Sequence, residues 1–163
     1  MNWKGRYLDL TLVDGILTLS HQRAFAENLS LQVRKIEVNR LIRSRLKRLG
    51  PLIRGNAPQN FQIDVIAVSR SSFKSLVIEV EAVLATMATQ PFSGRVTEEL
   101  LGISSQERLR WTKDGRLPHS GTAPIHRGRT IMLPVYAVER VVSLKSAPEV
   151  IAAWREADDV FPL

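Results

Sequence analysis

With 163 residues, 44% hydrophobic and 24% charged, the chain has room for one good core or two small ones, and its composition is that of an ordinary soluble globular protein rather than a low-complexity polymer. Its charge stands out: 23 Lys and Arg against 16 Asp and Glu give +7 at neutral pH, which favours anionic partners, nucleic acid first and an anionic membrane surface second. There is no cysteine, which excludes disulfide staples and cysteine-ligated zinc fingers, and no apolar run approaches the ~20 residues of a membrane span.

Arg6 to Leu12 places Leu8, Leu10 and Leu12 on one face of an extended segment. Val13-Asp14-Gly15 then supplies a turn and Ile16 to Leu19 a second strand, together a β-hairpin. Leu29, Leu31 and Val33 alternate as a strand does, whereas Val38, Leu41, Ile42, Leu46 and Leu49 fall at helical intervals. The expectation is a strand up to about Val38, then a helix capped by Asn39 and stopped by Gly50-Pro51.

Eight basic residues lie between Arg34 and Arg54 against the single acid Glu37, an excess equal to that of the whole chain. Such a run is either the solvated face of an amphipathic helix or a phosphate-facing or partner-facing surface, for which Arg40, Arg43 and Lys47 are the candidates. Gly55 to Asn60 reads as a loop, Phe61 to Val68 as a buried strand, and Ser72 onward as a helix. In that helix Phe73, Leu76, Val77, Val80, Val83, Leu84 and Met87 line one face. Gln90 to Gly94 links this helix to the C-terminal part of the chain.

The segment from Val96 to Val142 has the densest signals. A short helix, Thr97 to Leu101, ends at Gly102, Ile103 plugs the corner, and Ser104 with Glu107 forms the pattern of a capping box. A second helix is expected from Ser105 to Asp114, anchored by Leu109 and Trp111 and stopped by Gly115 and Pro118. A loop, His119 to Pro124, leads to a hairpin tip at Arg127-Gly128-Arg129, where guanidinium groups suit phosphate contact. Pro134 is expected to end that strand and open a helix from Val135 to about Leu144. A last helix, Pro148 to about Asp159, carries an acidic end poorly placed against the helix dipole, expected to be frayed or bound to a partner. His119 and His126 read as solvated loop residues, and with His21 they are not spaced as a metal site.

At Leu100-Leu101-Gly102-Ile103-Ser104, Leu109, Trp111, Gly115-Arg116-Leu117-Pro118, the glycine-arginine tip and Pro134-x-Tyr136, the chain resembles the winged helix-turn-helix of the MerR and phage-excisionase type. The resemblance covers about 47 of the 163 residues. The first helix departs from the family pattern in lacking a long alanine-rich run, and the wing loop is longer. The resemblance implies contacts to duplex DNA from Ser105, Gln106, Arg108 and Lys113 on the second helix and from Arg127 and Arg129 on the wing. Arg110, within that helix, and Arg116, just beyond it, complete the expected DNA-binding set.

Ile63 to Ile66 and Val77 to Glu81 also resemble the strand pair of PD-(D/E)xK nucleases, whose paired carboxylates hold a divalent metal. Glu81 occupies the lysine position of that pattern, and the helical periodicity through Glu79 opposes a strand. The expectation is therefore an α+β protein with a basic module (1–69), a winged helix-turn-helix domain with its leading helix (70–146) and a C-terminal helix (147–163). Its expected function is sequence-specific double-stranded DNA binding, in transcriptional regulation or as an accessory factor of mobile-element recombination. A nuclease or its inactive remnant, and a protein-interaction module built on a degenerate helix-turn-helix, are the alternatives. No catalytic, metal or cofactor site is expected. The expected partners besides DNA are a second copy or another subunit, with no membrane partner. The N-terminus lacks a signal-peptide core, so a cytoplasmic, nucleoid-associated location is expected.

Overall fold

The computed structural model describes residues 2–48, 52–53, 60–64 and 69–160 of the chain and shows an α+β protein in two compact units, Met1–Thr89 and Gln90–Leu163. The expected Gly50-Pro51 stop, most of the Gly55 to Asn60 loop and the end of the Phe61 to Val68 strand lie outside the described residues.

The first unit contains β1 (Asn2–Lys4), β2 (Asp9–Val13), β3 (Ile16–Ser20), α1 (Gln22–Glu27), α2 (Leu29–Val33), α3 (Lys35–Leu46), β4 (Leu52–Ile53), β5 (Asn60–Asp64) and α4 (Arg70–Thr89). Its strands form an antiparallel sheet in the order β1-β2-β3-β5-β4. The expected hairpin is β2–β3. Val13 pairs with Ile16 across a two-residue turn in which Asp14 (φ 49°) and Gly15 (φ 77°) both take the left-handed backbone that such a turn requires. Leu10, Leu19 and Phe61 then lie side by side across three strands, as do Leu17 and Ile63, and all five are buried in one core. Leu31, Val38, Ile42, Leu46, Leu76, Val80 and Leu84 of the helices complete that core.

Three expectations are corrected here. Leu29 to Val33 is helical, not extended: Asn28 accepts a hydrogen bond from the Leu31 N–H at 3.0 Å and starts α2, and the buried Ser30 hydroxyl donates to the Met87 carbonyl at 2.7 Å. Asn39 lies inside α3 rather than capping it. Its side chain meets His21 Nε2 at 2.6 Å, where the buried imidazole lies against Phe25 and Phe61. Burial pushes the His21 pKa down, and the Asn39 hydrogen bond opposes this in part. The boundary expected at residue 69 falls instead at Thr89, because α4 contributes its whole apolar face to the first core.

The strand pair of the nuclease resemblance does not form either, since Val77 to Glu81 lies within α4. Glu79 pairs with Arg45 at 3.1 Å and Arg48 at 3.8 Å. The Glu81 carboxylate accepts the backbone N–H groups of Tyr7 (3.0 Å) and Leu8 (2.9 Å), tying the entry of β2 to α4.

The second unit contains β6 (Phe92–Ser93), α5 (Gly94–Leu101), α6 (Ser105–Lys113), β7 (Gly121–Arg127), β8 (Arg129–Tyr136), α7 (Val138–Ser146) and α8 (Pro148–Val160). Its sheet is antiparallel in the order β6-β8-β7. Phe92, Thr97, Ile103, Trp111, Leu117, Tyr136, Val141 and Leu144 are buried. Two expectations change. Most of the His119 to Pro124 loop is strand, and β8 continues through Pro134 to Tyr136, with α7 starting only at Val138. Proline is tolerated because β6 reaches only to the level of Val135, so Pro134 has one strand neighbour, Thr122, instead of two.

The Glu81 clamp yields a test. Glu81→Ala leaves two backbone donors without their charged acceptor and should lower the stability of the first unit by on the order of 2–3 kcal/mol. Hydrogen exchange of its core amides measures this, and unchanged protection would show that the clamp contributes nothing.

Candidate nucleic-acid interface

The α5–α6 corner is set by its caps. Ser93 accepts from the Val96 N–H at 3.4 Å, and Gly102 closes α5 with φ 62°, a left-handed position that glycine occupies without a steric cost. Ser104 accepts from the Glu107 N–H at 3.1 Å while the Glu107 carboxylate accepts from the Ser104 N–H at 2.6 Å, the reciprocal capping box expected from the sequence. Gly115 (φ 87°) follows the Asp114 cap.

The inner side of α6 is fastened by Trp111 and by arginines. Trp111 is fully buried, packs edge-on against Trp154 at 5.0 Å and donates its indole N–H to Asp158 at 2.8 Å. Asp158 also meets Arg110 and Arg116, each at 2.6 Å, and Arg116 bridges to Asp114 at 2.6 Å while lying over both tryptophan rings. Arg155 donates to Glu107 at 2.6 Å and to the Gly102 carbonyl at 2.8 Å. Arg108, with 14% of its side chain exposed, donates to Glu98 at 2.6 Å and to the Tyr136 hydroxyl at 2.9 Å.

Arg108, Arg110 and Arg116, expected to contact DNA, are therefore committed to acids of their own unit. The acidic end of α8, expected to be frayed or partner-bound, holds α6 through Asp158. Ten Lys and Arg in this unit stand against nine Asp and Glu, and among the described residues Arg95, Arg108, Arg110, Arg116 and Arg155 each pair with one of those acids. Leu109, expected as an anchor beside Trp111, is 56% exposed, because residues two apart point to opposite sides of a helix. What α6 turns outward is a face of Ser105, Gln106, Leu109 and Lys113, with no acid among them. Leu109 is the residue on that face that the sequence reading missed, and its spacing from Trp111 was the available signal.

The ion pairs set the electrostatics. Arg108 holds the Glu98 carboxyl below its ordinary value, against the opposing effect of burial and with help from Ser105. Arg155 does the same for Glu107, and Arg116 for Asp114. Burial raises the Asp158 pKa, but hydrogen bonds from Arg116 and Trp111, with the charges of Arg116 and Arg110, outweigh it and bring it below the usual Asp range.

Beyond α6, β7 and β8 form a hairpin whose tip is Gly128, φ 71°, with Arg127 paired to Arg129. The Arg127 side chain is outside the described residues; Arg129 is exposed and, among the described residues, pairs with no acid. At the exposed histidine near the tip, His126 Nδ1 meets the Thr130 hydroxyl at 3.0 Å. In the first unit, Arg40 and Arg43 of α3 and Lys47 at its C-cap are exposed and likewise pair with no acid among the described residues, whereas Arg45 and Arg48 are held by Glu79. Among the described residues no three His, Asp or Glu side chains converge to bind a metal, and no helix is long and apolar enough to cross a membrane.

The chain matches no known protein family, no curated protein and no solved structure with which it was compared.

The depressed carboxylates predict the acid behaviour of this unit. A carboxyl whose folded pKa lies below its unfolded one stabilises fully above the unfolded value, about 4, and loses that contribution as pH falls through the folded value. The second unit should therefore weaken below about pH 4, read by loss of the Trp111 indole N–H resonance. Asp158→Asn should lower its urea midpoint at neutral pH and flatten the acid dependence; a midpoint and pH profile identical to wild type would contradict the role given to Asp158.

Proposed function

We propose that the chain is a sequence-specific double-stranded DNA-binding protein, acting in transcriptional regulation or as an accessory factor of mobile-element recombination, with the second unit as a winged helix-turn-helix. The observation that carries this reading is the outward face of α6: a capped helix, fastened on its inner side, presenting Ser105, Gln106 and Lys113 with no acid among them. Such a face suits the major groove, where side chains near the N-terminal half of a short rigid helix reach base edges. The β7–β8 hairpin, with Arg129 at its tip, suits phosphate contact, which positions without reading sequence. Arg108, Arg110 and Arg116 act in this reading by holding α6 in place.

The first unit supplies the non-specific part. It carries thirteen basic residues against seven acidic ones, and Arg40, Arg43 and Lys47 form a stripe able to displace counterions from a phosphate backbone. It also serves as the surface for self-association or for another subunit.

Gel shifts at several salt concentrations test this division. Gln106→Ala should relax the preference for the selected site, Arg129→Ala should weaken all duplexes alike, and replacing Arg40, Arg43 and Lys47 together by alanine should reduce the salt slope by roughly 2–3 while leaving preference unchanged. If none of these changes alters binding to duplex DNA, the DNA-binding reading is wrong.

A further inference from the structure

Leu109 is the large apolar residue that α6 leaves exposed. It sits at the middle of the outward face, with Ser105 one turn before it, Lys113 one turn after and Gln106 beside it, and more than half its surface is open to solvent. One leucine among polar neighbours is far smaller than the apolar patch of several hundred Å² that marks a protein-docking surface. It is, however, matched in size to a single apolar group. In the major groove the only such group is the 5-methyl of thymine, while cytosine presents an amino donor that a leucine leaves without a partner.

Gln106 adds the second half. A carboxamide pairs bidentately with the N6 and N7 edge of adenine, and residues three apart on a helix have Cβ atoms about 5–6 Å from one another, compatible with neighbouring base pairs stacked about 3.4 Å apart. The inner contacts matter here too, because Arg108 on Glu98 and Tyr136, and Asp158 on Trp111, hold the helix so that a one-methyl difference is felt. We infer that the α6 face reads an A·T step, with Leu109 against a thymine methyl and Gln106 on an adenine, which makes Leu109 a specificity-determining residue. The inference rests on the reading of α6 as a major-groove helix.

The test starts from the duplex motif that the full-length protein selects out of a random library, replacing each thymine of that motif in turn by deoxyuridine, which removes only the methyl group. At one thymine the wild-type protein should lose roughly fourfold in affinity, the worth of one buried methyl-sized group. Leu109→Ala, at an exposed position that leaves the core intact, should bind thymine and uracil there equally, and Gln106→Ala should lose preference at an adjacent pair. A selected motif in which no uracil substitution matters, or in which Leu109→Ala keeps the methyl preference, overturns the inference while leaving DNA binding standing. Failure to select any motif overturns both. Leu109-dependent capture of a protein partner, with duplex affinity unaffected by Leu109→Ala, assigns the residue to a protein interface and overturns it as well.

Discussion

Asp158 is the constraint on which the second unit depends. One carboxylate near the end of α8 accepts the indole N–H of the buried Trp111 and meets two guanidinium groups, so it fixes the position of α6 against α8. A buried indole N–H without an acceptor costs on the order of 1–3 kcal/mol, and Arg116, which lies over both tryptophan rings, finds a counterion in the same carboxylate. One carboxylate serves both, with the indole N–H on Oδ2 and Arg116 on Oδ1. The Arg155–Glu107 pair fastens the N-terminal end of α6 in the same way, and Arg108 ties its middle to α5 and β8. A helix of nine residues is marginal by itself; this one is held along its length.

That arrangement sorts the charges by role. Arginines on the inner side of α6 neutralise acids of the same unit, which leaves the outward side polar and only weakly cationic. The net positive charge of the chain lies mainly in the first unit, where Arg40, Arg43 and Lys47 have no acidic partner among the described residues. In the proposed DNA-binding role the two units then contribute differently, one by base-edge chemistry and the other by counterion release, and the second contribution falls steeply with salt.

Features governed by local chemistry were legible in the sequence. The Asp14-Gly15 turn, the Gly102 stop and the Ser104–Glu107 capping box each depend on residues within four positions of one another, and all three formed. The α3 and α4 faces were legible from periodicity, though their partners were not. What failed depended on distance. Leu29, Leu31 and Val33 alternate over too few residues to distinguish a strand from a short helix, and the Asn28 cap decided the outcome. Nothing near Arg108, Arg110 or Arg116 in the sequence announces that Glu98 and Asp158 take them, because Asp158 lies more than forty residues beyond the arginines it holds. A sequence rich in arginine therefore overstated how many were available to a phosphate.

The most direct measurement is an NMR titration of the isotope-labelled protein with its selected duplex, following backbone amides and arginine Nε–H groups together. Shifts confined in this unit to Ser105, Gln106, Leu109, Lys113 and the Gly128–Arg129 tip, with the Arg108, Arg110 and Arg116 Nε–H signals unmoved, are the expected result. Duplex-induced loss of the Arg108–Glu98 or Arg110–Asp158 pairing, or an α6 face that does not respond at all, would contradict a helix fastened on its inner side and reading outward.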